Sequence, residues 1–217
     1  MIGVNTQMNP NRPVPASALP DAGVEGNARL TSTTGMLLLA LLAIEGFTIL
    51  NVRRLITLHV FLGILLIGPV LLKTGSTMYR FARYYTGAQP YLTKGPPHPL
   101  LRLLGPLVIV SSLTLLGTGV ALLAVKPPDP GLLLPAHKAS FVIWFAVMTI
   151  HVLGHLKDAS LTAWRELRDA AHGSATPGRG LRFTLIALAL VFGVATASAL
   201  VPAASSWTTG TAGRANR

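Results

Sequence analysis

The chain has 217 residues, contains no cysteine and has few charged side chains. Without cysteine it can form no disulfide, no iron–sulfur cluster, no thiolate zinc site and no covalent c-type haem attachment. Only 12% of the residues are charged, about half the share of an ordinary soluble domain, whereas 51% are hydrophobic. This composition indicates a chain whose main solvent is lipid. Any metal must bind to the six histidines or to carboxylates.

Acidic residues are especially scarce, since 7 Asp and Glu stand against 18 Lys and Arg, for a net charge of +11. A basic surface of this kind binds anionic lipid headgroups, nucleic acid or an acidic protein. The basic residues lie between long apolar runs and do not form one patch. We therefore expect a lipid bilayer as the partner, and no nucleic acid.

Charged residues divide the chain into five apolar stretches, each near or above the roughly 18 residues that a spanning helix needs. The stretches lie between residues 29 and 53, over 55–72 with an amphipathic extension to 83, from 99 to just before 127, over 134–156 with a polar continuation to 168, and over 182–201. The sequence predicts an all-α, multi-pass transmembrane bundle over residues 30–201. We expect a disordered polar tail at 1–29 and a flexible tail at 202–217.

The distribution of Lys and Arg predicts the orientation in the membrane. Most of them fall in the N-terminal tail and in the connections that follow the second and fourth stretches. Because cytoplasmic loops carry the excess of positive charge, we expect the N-terminus in the cytoplasm and the C-terminus outside.

Histidines inside the apolar stretches are the main functional signal, although a single one also serves as a hydrogen-bonded packing residue. His151 follows His137 by about 14 residues, on nearly the same helix face and roughly 21 Å further along the axis. Since the second and fourth stretches run in the same direction, His59 and His137 are predicted to face each other near the outer side. On the inner side, His98 lies at the depth of His151 and His155, which allows a second pair. Facing imidazoles suit the two axial positions of a haem iron.

Each of the other polar residues near these depths has two possible roles. Arg53, Arg54 and Lys138 on the outer side, and Arg80 and Arg83 on the inner side, are candidates to pair with haem propionates. Interfacial placement alone also accounts for such basic residues. Glu45, within the first stretch, must be neutral or paired, and either a proton or quinone role or a structural hydrogen bond would explain it.

Three segments carry a resemblance to a known group of proteins: LHVFLGILLIGPVLLKTGSTMYRFARYY, GPPHPLLRLLGP and HKASFVIWFAVMTIHVLGHL. They resemble the core of bacterial membrane b-type cytochromes, the broad group of ferric-reductase-like and di-haem cytochrome b proteins, over roughly residues 30–201. The resemblance implies that the five-span bundle contains a four-helix haem-binding core, that His59 and His137 bind an outer haem b and that His151 is one inner ligand. It also implies the cytoplasmic (plasma) membrane as the location.

The sequence departs from the pattern of that group at Lys73, where a fourth histidine is expected. Either His98 replaces that ligand, or Lys73 is itself an unusual ligand, or the inner haem is absent. The resemblance implies electron transfer with one or two haems, and a quinone or a redox partner subunit as the donor. Whether the chain belongs to an oxidoreductase as its membrane subunit stays open. The alternative is a haem-free membrane protein, either a proton or metal transporter or a scaffold subunit.

Overall fold

The computed structural model describes residues 21–95, 99–125 and 130–207, and within them every regular element is helical. The elements are α1 Ala22–Ile49, α2 Val52–Leu65, α3 Ile67–Tyr85, α4 Gln89–Lys94, α5 Pro99–Leu123, α6 Leu133–Ala171, α7 Arg179–Leu200 and a 3₁₀ turn Val201–Ala204. The predicted all-α bundle is confirmed.

Five helical segments are long and apolar enough to cross a bilayer. They are Ala22–Ile49, Val52–Tyr85, Arg102–Leu123, Leu133–Ala171 and Arg179–Trp207. No more than 33% of the most apolar window of any segment is buried inside the bundle, so most of the apolar side chains point outward. A helix that is hydrophobic all round requires an apolar solvent. The protein is therefore a multi-pass membrane protein.

Helix α1 begins earlier than the predicted end of the N-terminal tail. The Asp21 side chain accepts hydrogen bonds from the backbone N–H groups of Gly23 and Val24, at 2.9 and 3.0 Å. Asp is a strong N-cap residue, and Glu25 in the first turn adds a favourable interaction with the helix dipole. Residues 22–29 are consequently helical, which differs from the disordered tail that the sequence predicts there. The remainder of that tail lies outside the described residues.

The second span consists of α2 and α3, which join at Leu66. Pro69 has no N–H group, so it leaves the carbonyl of Leu65 without its usual intrahelical partner. Helix α7 lies against this point. A Cβ atom on Gly193 would collide with the Leu65 carbonyl, and one on Gly68 would collide with the backbone of Ala189. Small residues thus bring the two helices into backbone contact, as is common between membrane helices.

A buried ionic cluster joins α1, α6 and α7. Glu166, only 2% exposed, accepts hydrogen bonds from Arg29 at 2.7 Å and from Arg182 at 2.5 Å. Arg29 also contacts Asp169 and Glu25, both at 3.0 Å. We call this part of the bundle the Asp21 end. The opposite part, which holds the α1–α2 turn and the start of α6, is the Asn51 end.

Candidate functional site

His59 lies in α2 near the Asn51 end, where it contacts two polar residues of α1. Its Nδ1 atom is 2.8 Å from Glu45 Oε1 and 2.9 Å from the hydroxyl of Thr48. Thr48 is fully buried and also donates to the Glu45 backbone carbonyl at 2.6 Å. Gly63, one turn after His59, lies beside the carboxylate, because a Cβ there would be in ordinary van der Waals contact with Glu45 Oε1, at 3.6 Å. The glutamate inside the first span is therefore paired with the histidine of the second.

His137 lies at the same end, in the first turns of α6, and contacts α5. Its Nδ1 atom is 3.0 Å from the hydroxyl of Thr118. Gly119 allows this close approach, because a Cβ atom there would lie 3.2 Å from Cε1 of the ring. The Ser140 hydroxyl donates to the His137 backbone carbonyl at 2.8 Å. Helix α5 thus supplies both the space for this imidazole and its hydrogen-bond partner.

The hydrogen bonds around both threonines assign the tautomers of the two rings. A hydroxyl has one proton to donate, and a threonine within a helix gives it to a carbonyl of the preceding turn. The Thr118 hydroxyl donates to the Thr114 backbone carbonyl at 2.8 Å, and the Thr48 hydroxyl donates to the Glu45 backbone carbonyl at 2.6 Å. Each hydroxyl oxygen is then an acceptor toward the histidine, so each ring carries its proton on Nδ1. The Nε2 atoms of His59 and His137 keep their lone pairs.

The hydrogen bonds and the ion pair that the two rings form with side chains of the described residues are at Nδ1, and the Leu115 backbone carbonyl is a further acceptor for the His137 ring. Helix α5 contacts both α2 and α6. The Asn51 end thus holds two neutral imidazoles from different helices, and each ring forms its side-chain contacts through Nδ1.

An apolar cleft of about 300 Å³ lies between α3 and α5. Its lining residues are Ile67, Val70, Leu71, Leu113, Leu116, Gly117 and Val120. The α5 residues of the cleft lie on a different face of that helix from Thr118, which contacts His137, and a Cβ on Gly117 would meet no other atom within 4 Å. The volume is at the lower end of the range of about 300–1,000 Å³ for small-molecule sites.

The histidines of the predicted inner site have a different arrangement. His151 and His155 lie one turn apart on α6, with ring centroids 4.8 Å apart and planes at 56°. Nδ1 of His151 is buried and has no hydrogen-bond partner among the described residues. The Lys73 ammonium donates to the Thr31 carbonyl at 3.0 Å. These two imidazoles face each other along one helix, and His98 lies outside the described residues.

The predicted propionate partners lie at the surface. Arg53, Arg54, Lys138 and Arg83 are exposed and Arg80 is half-buried. Within the described parts of the chain, none of the five forms an ion pair with a carboxylate. Their charges are therefore available to an anionic group or to lipid phosphates. Their pairing with haem propionates stays a prediction.

Thr48 and Thr118 are site residues that the sequence analysis did not identify. Each lies in an apolar span, where threonine is common, and each acquires its role from a histidine on another helix. A polar residue opposite a histidine becomes recognisable only when helix rotation and depth are known. Glu45 was identified as needing a partner, but that partner was not.

Among the described residues no group of three or more His, Asp or Glu is arranged to hold a metal ion. Two axial imidazoles need no such group. Comparison with known proteins gives no further guide, because no family model matches the chain and no curated protein or solved structure shows significant similarity to it.

Proposed function

We propose that the protein is a membrane electron carrier that binds one b-type haem between His59 and His137. The observation that carries this proposal is the shared state of the two rings, each held at Nδ1 by a side chain of another helix. Metal-bound histidines in proteins nearly always donate their second N–H group to a neighbouring acceptor, which orients the ring. Both rings meet this condition before any cofactor is bound.

The surroundings of the two rings fit a haem. Its porphyrin is flat and apolar, and Gly119 removes a side chain beside the His137 ring. Arg53, Arg54 and Lys138 belong to the same end of the bundle and would pair with the propionates. When bound, the haem supplies reversible one-electron chemistry at its iron. The chain holds the ligands, excludes water and places the carrier within the bilayer.

The proposal is limited to one haem per chain. His59 and His137 come from different helices, whereas His151 and His155 share α6 and contact each other. The lysine at position 73, where a histidine is expected, favours the absence of an inner haem, and His98, the other candidate ligand there, lies outside the described residues. Electrons would come from a membrane quinol or a redox partner subunit, in the cytoplasmic membrane with the N-terminus inside.

A proton transporter is the competing class, and the Glu45–His59 pair is the observation that favours it. A proton path would need polar groups between the Asn51 end and the part of the bundle that holds Lys73, His151 and His155. The cleft between α3 and α5 has only apolar lining residues in the part of the chain that the structure describes. That cleft therefore supplies none of these polar groups.

The proposal is tested by purifying the protein from haem-replete cells and recording reduced-minus-oxidised spectra with a pyridine haemochrome assay. We expect one haem b per chain. His59→Ala and His137→Ala should each lose at least nine-tenths of it. The control is His172→Ala, because His172 is exposed in the turn after α6. A colourless wild-type protein, or full haem content in His137→Ala, would refute the proposal.

A further inference from the structure

The two histidines of the site have chemically different acceptors at Nδ1. His59 donates toward the carboxylate of Glu45, whereas His137 donates toward the neutral hydroxyl of Thr118. We infer that Glu45 is a positioning residue that lowers the reduction potential of the haem by acting through His59. This inference rests on the proposed function and adds to it a residue that sets the potential of the carrier.

Glu45 is held firmly enough to play this role. Its side chain is 12% exposed, and Oε1 lies 2.8 Å from His59 Nδ1. Its second carboxylate oxygen lies 3.3 Å from the Thr48 hydroxyl, which is itself anchored on the Glu45 backbone carbonyl. Glu45, Thr48 and His59 thus form one closed set of contacts between α1 and α2. A carboxylate that turned away to lipid would lose its contacts with both His59 and Thr48.

The physical effect follows from the charge of the acceptor. A carboxylate that accepts the Nδ1 proton draws it away from the ring, so the imidazole becomes a stronger donor at Nε2. A stronger donor favours ferric over ferrous iron, because the oxidised centre carries one more positive charge. A hydroxyl acceptor has a weaker effect on its ring. We therefore expect Glu45 of α1 to change the reduction potential of the haem more than Thr118 of α5 does.

The test is a potentiometric titration of the haem in purified wild-type protein, in Glu45→Gln and in Thr118→Val. Gln keeps the size of the side chain and removes its charge. In Glu45→Gln we expect the equilibrium to shift about tenfold toward the ferrous form, which for one electron is a rise of about 59 mV. Thr118→Val should shift it less than Glu45→Gln does.

Glu25→Gln is the matched control, because Glu25 lies in the same helix at the opposite end and pairs with Arg29. It should leave the potential unchanged. An unchanged potential in Glu45→Gln with full haem content overturns the inference and leaves the proposed function intact. Absence of haem from the wild type overturns the proposed function instead. A shift in Thr118→Val that equals the shift in Glu45→Gln overturns the asymmetry between the two sides.

If Glu45→Gln does not retain haem, the contact itself can be measured without the cofactor. Full-length protein made in haem-deficient cells, with ¹⁵N-labelled histidine, should show by NMR a His59 ring protonated at Nδ1. The fraction of this tautomer should fall in Glu45→Gln and stay unchanged in Glu25→Gln. A wild-type His59 protonated at Nε2 would overturn the inference by this second route.

Discussion

Glu166 shows what a charged residue must find in order to be buried within this protein. Its carboxylate lies between Arg29 of α1 and Arg182 of α7, and Arg182 also donates to the Pro177 carbonyl at 2.6 Å. Burial of a charge is tolerated only when it is paired and hydrogen-bonded. With this pairing, a single side chain of α6 holds the starts of two other helices.

We expect Glu166→Gln to destabilise the fold by about 3–5 kcal/mol, because it leaves the buried Arg182 guanidinium without its counter-charge. The measurement is thermal or denaturant unfolding of the purified protein in detergent. Glu25→Gln is the control, since the Glu25 carboxylate is 45% exposed and its ion pair with Arg29 is worth about 1 kcal/mol or less. Equal stability of Glu166→Gln and wild type would show that the cluster does not hold the helices.

At the scale of single residues, the sequence indicated which side chains needed a partner more clearly than it indicated the partner. Glu45, His59 and His137 stood out because polar groups are costly in a membrane span. Thr48 and Thr118 did not, because a threonine hydroxyl can satisfy itself on its own helix. Whether a threonine also meets a histidine depends on how two helices are rotated about their axes, and no local pattern records this.

At the scale of helices, α7 approaches the α2–α3 junction closely enough for backbone contact. The backbone atoms of Leu65 and Gly193, and those of Gly68 and Ala189, lie against each other without intervening side chains. In a bilayer there is no hydrophobic drive for helices to associate, so close backbone packing supplies much of the attraction. The sequence analysis located the apolar stretches but did not predict which of them pack in this way.

Gly193→Ala should therefore destabilise the protein by about 1–3 kcal/mol, because the added methyl group meets the Leu65 carbonyl and forces the helices apart. Gly75→Ala is a suitable control, since Gly75 in α3 has open space at its Cβ position. That substitution should be neutral, or stabilising by up to about 1 kcal/mol through helix propensity. Unfolding of both variants in one detergent would compare them directly, and equal effects would contradict the contact.

At the scale of the whole molecule, the outward apolar surface and the five spans place the two ends of the bundle on opposite sides of a membrane. The Asn51 end holds the candidate haem ligands, and the Asp21 end holds the ionic cluster. Which end faces the cytoplasm stays a prediction from the distribution of Lys and Arg. The absence of cysteine makes this easy to test, because any introduced thiol is unique.

We expect Asn51→Cys to react with a membrane-impermeant maleimide in intact cells, and Ser174→Cys to react only after the cells are lysed. Both residues are exposed, and they lie in connections at opposite ends of the bundle. Positive charge retained in the cytoplasm is the physical reason for this orientation. The reverse labelling pattern would invert it, and labelling of both residues in intact cells would contradict the five-span arrangement.

The sequence by itself determined the helical class, the five spans and the set of polar residues that need partners. These follow from hydropathy and segment length, which are local properties of the chain. Only the tertiary structure decided that Glu45 meets His59, that Thr118 meets His137, and that Gly193 lies on the carbonyl left open by Pro69. Each of these contacts joins two helices, so it depends on their relative depth and rotation, which apolar stretches specify only once they pack together.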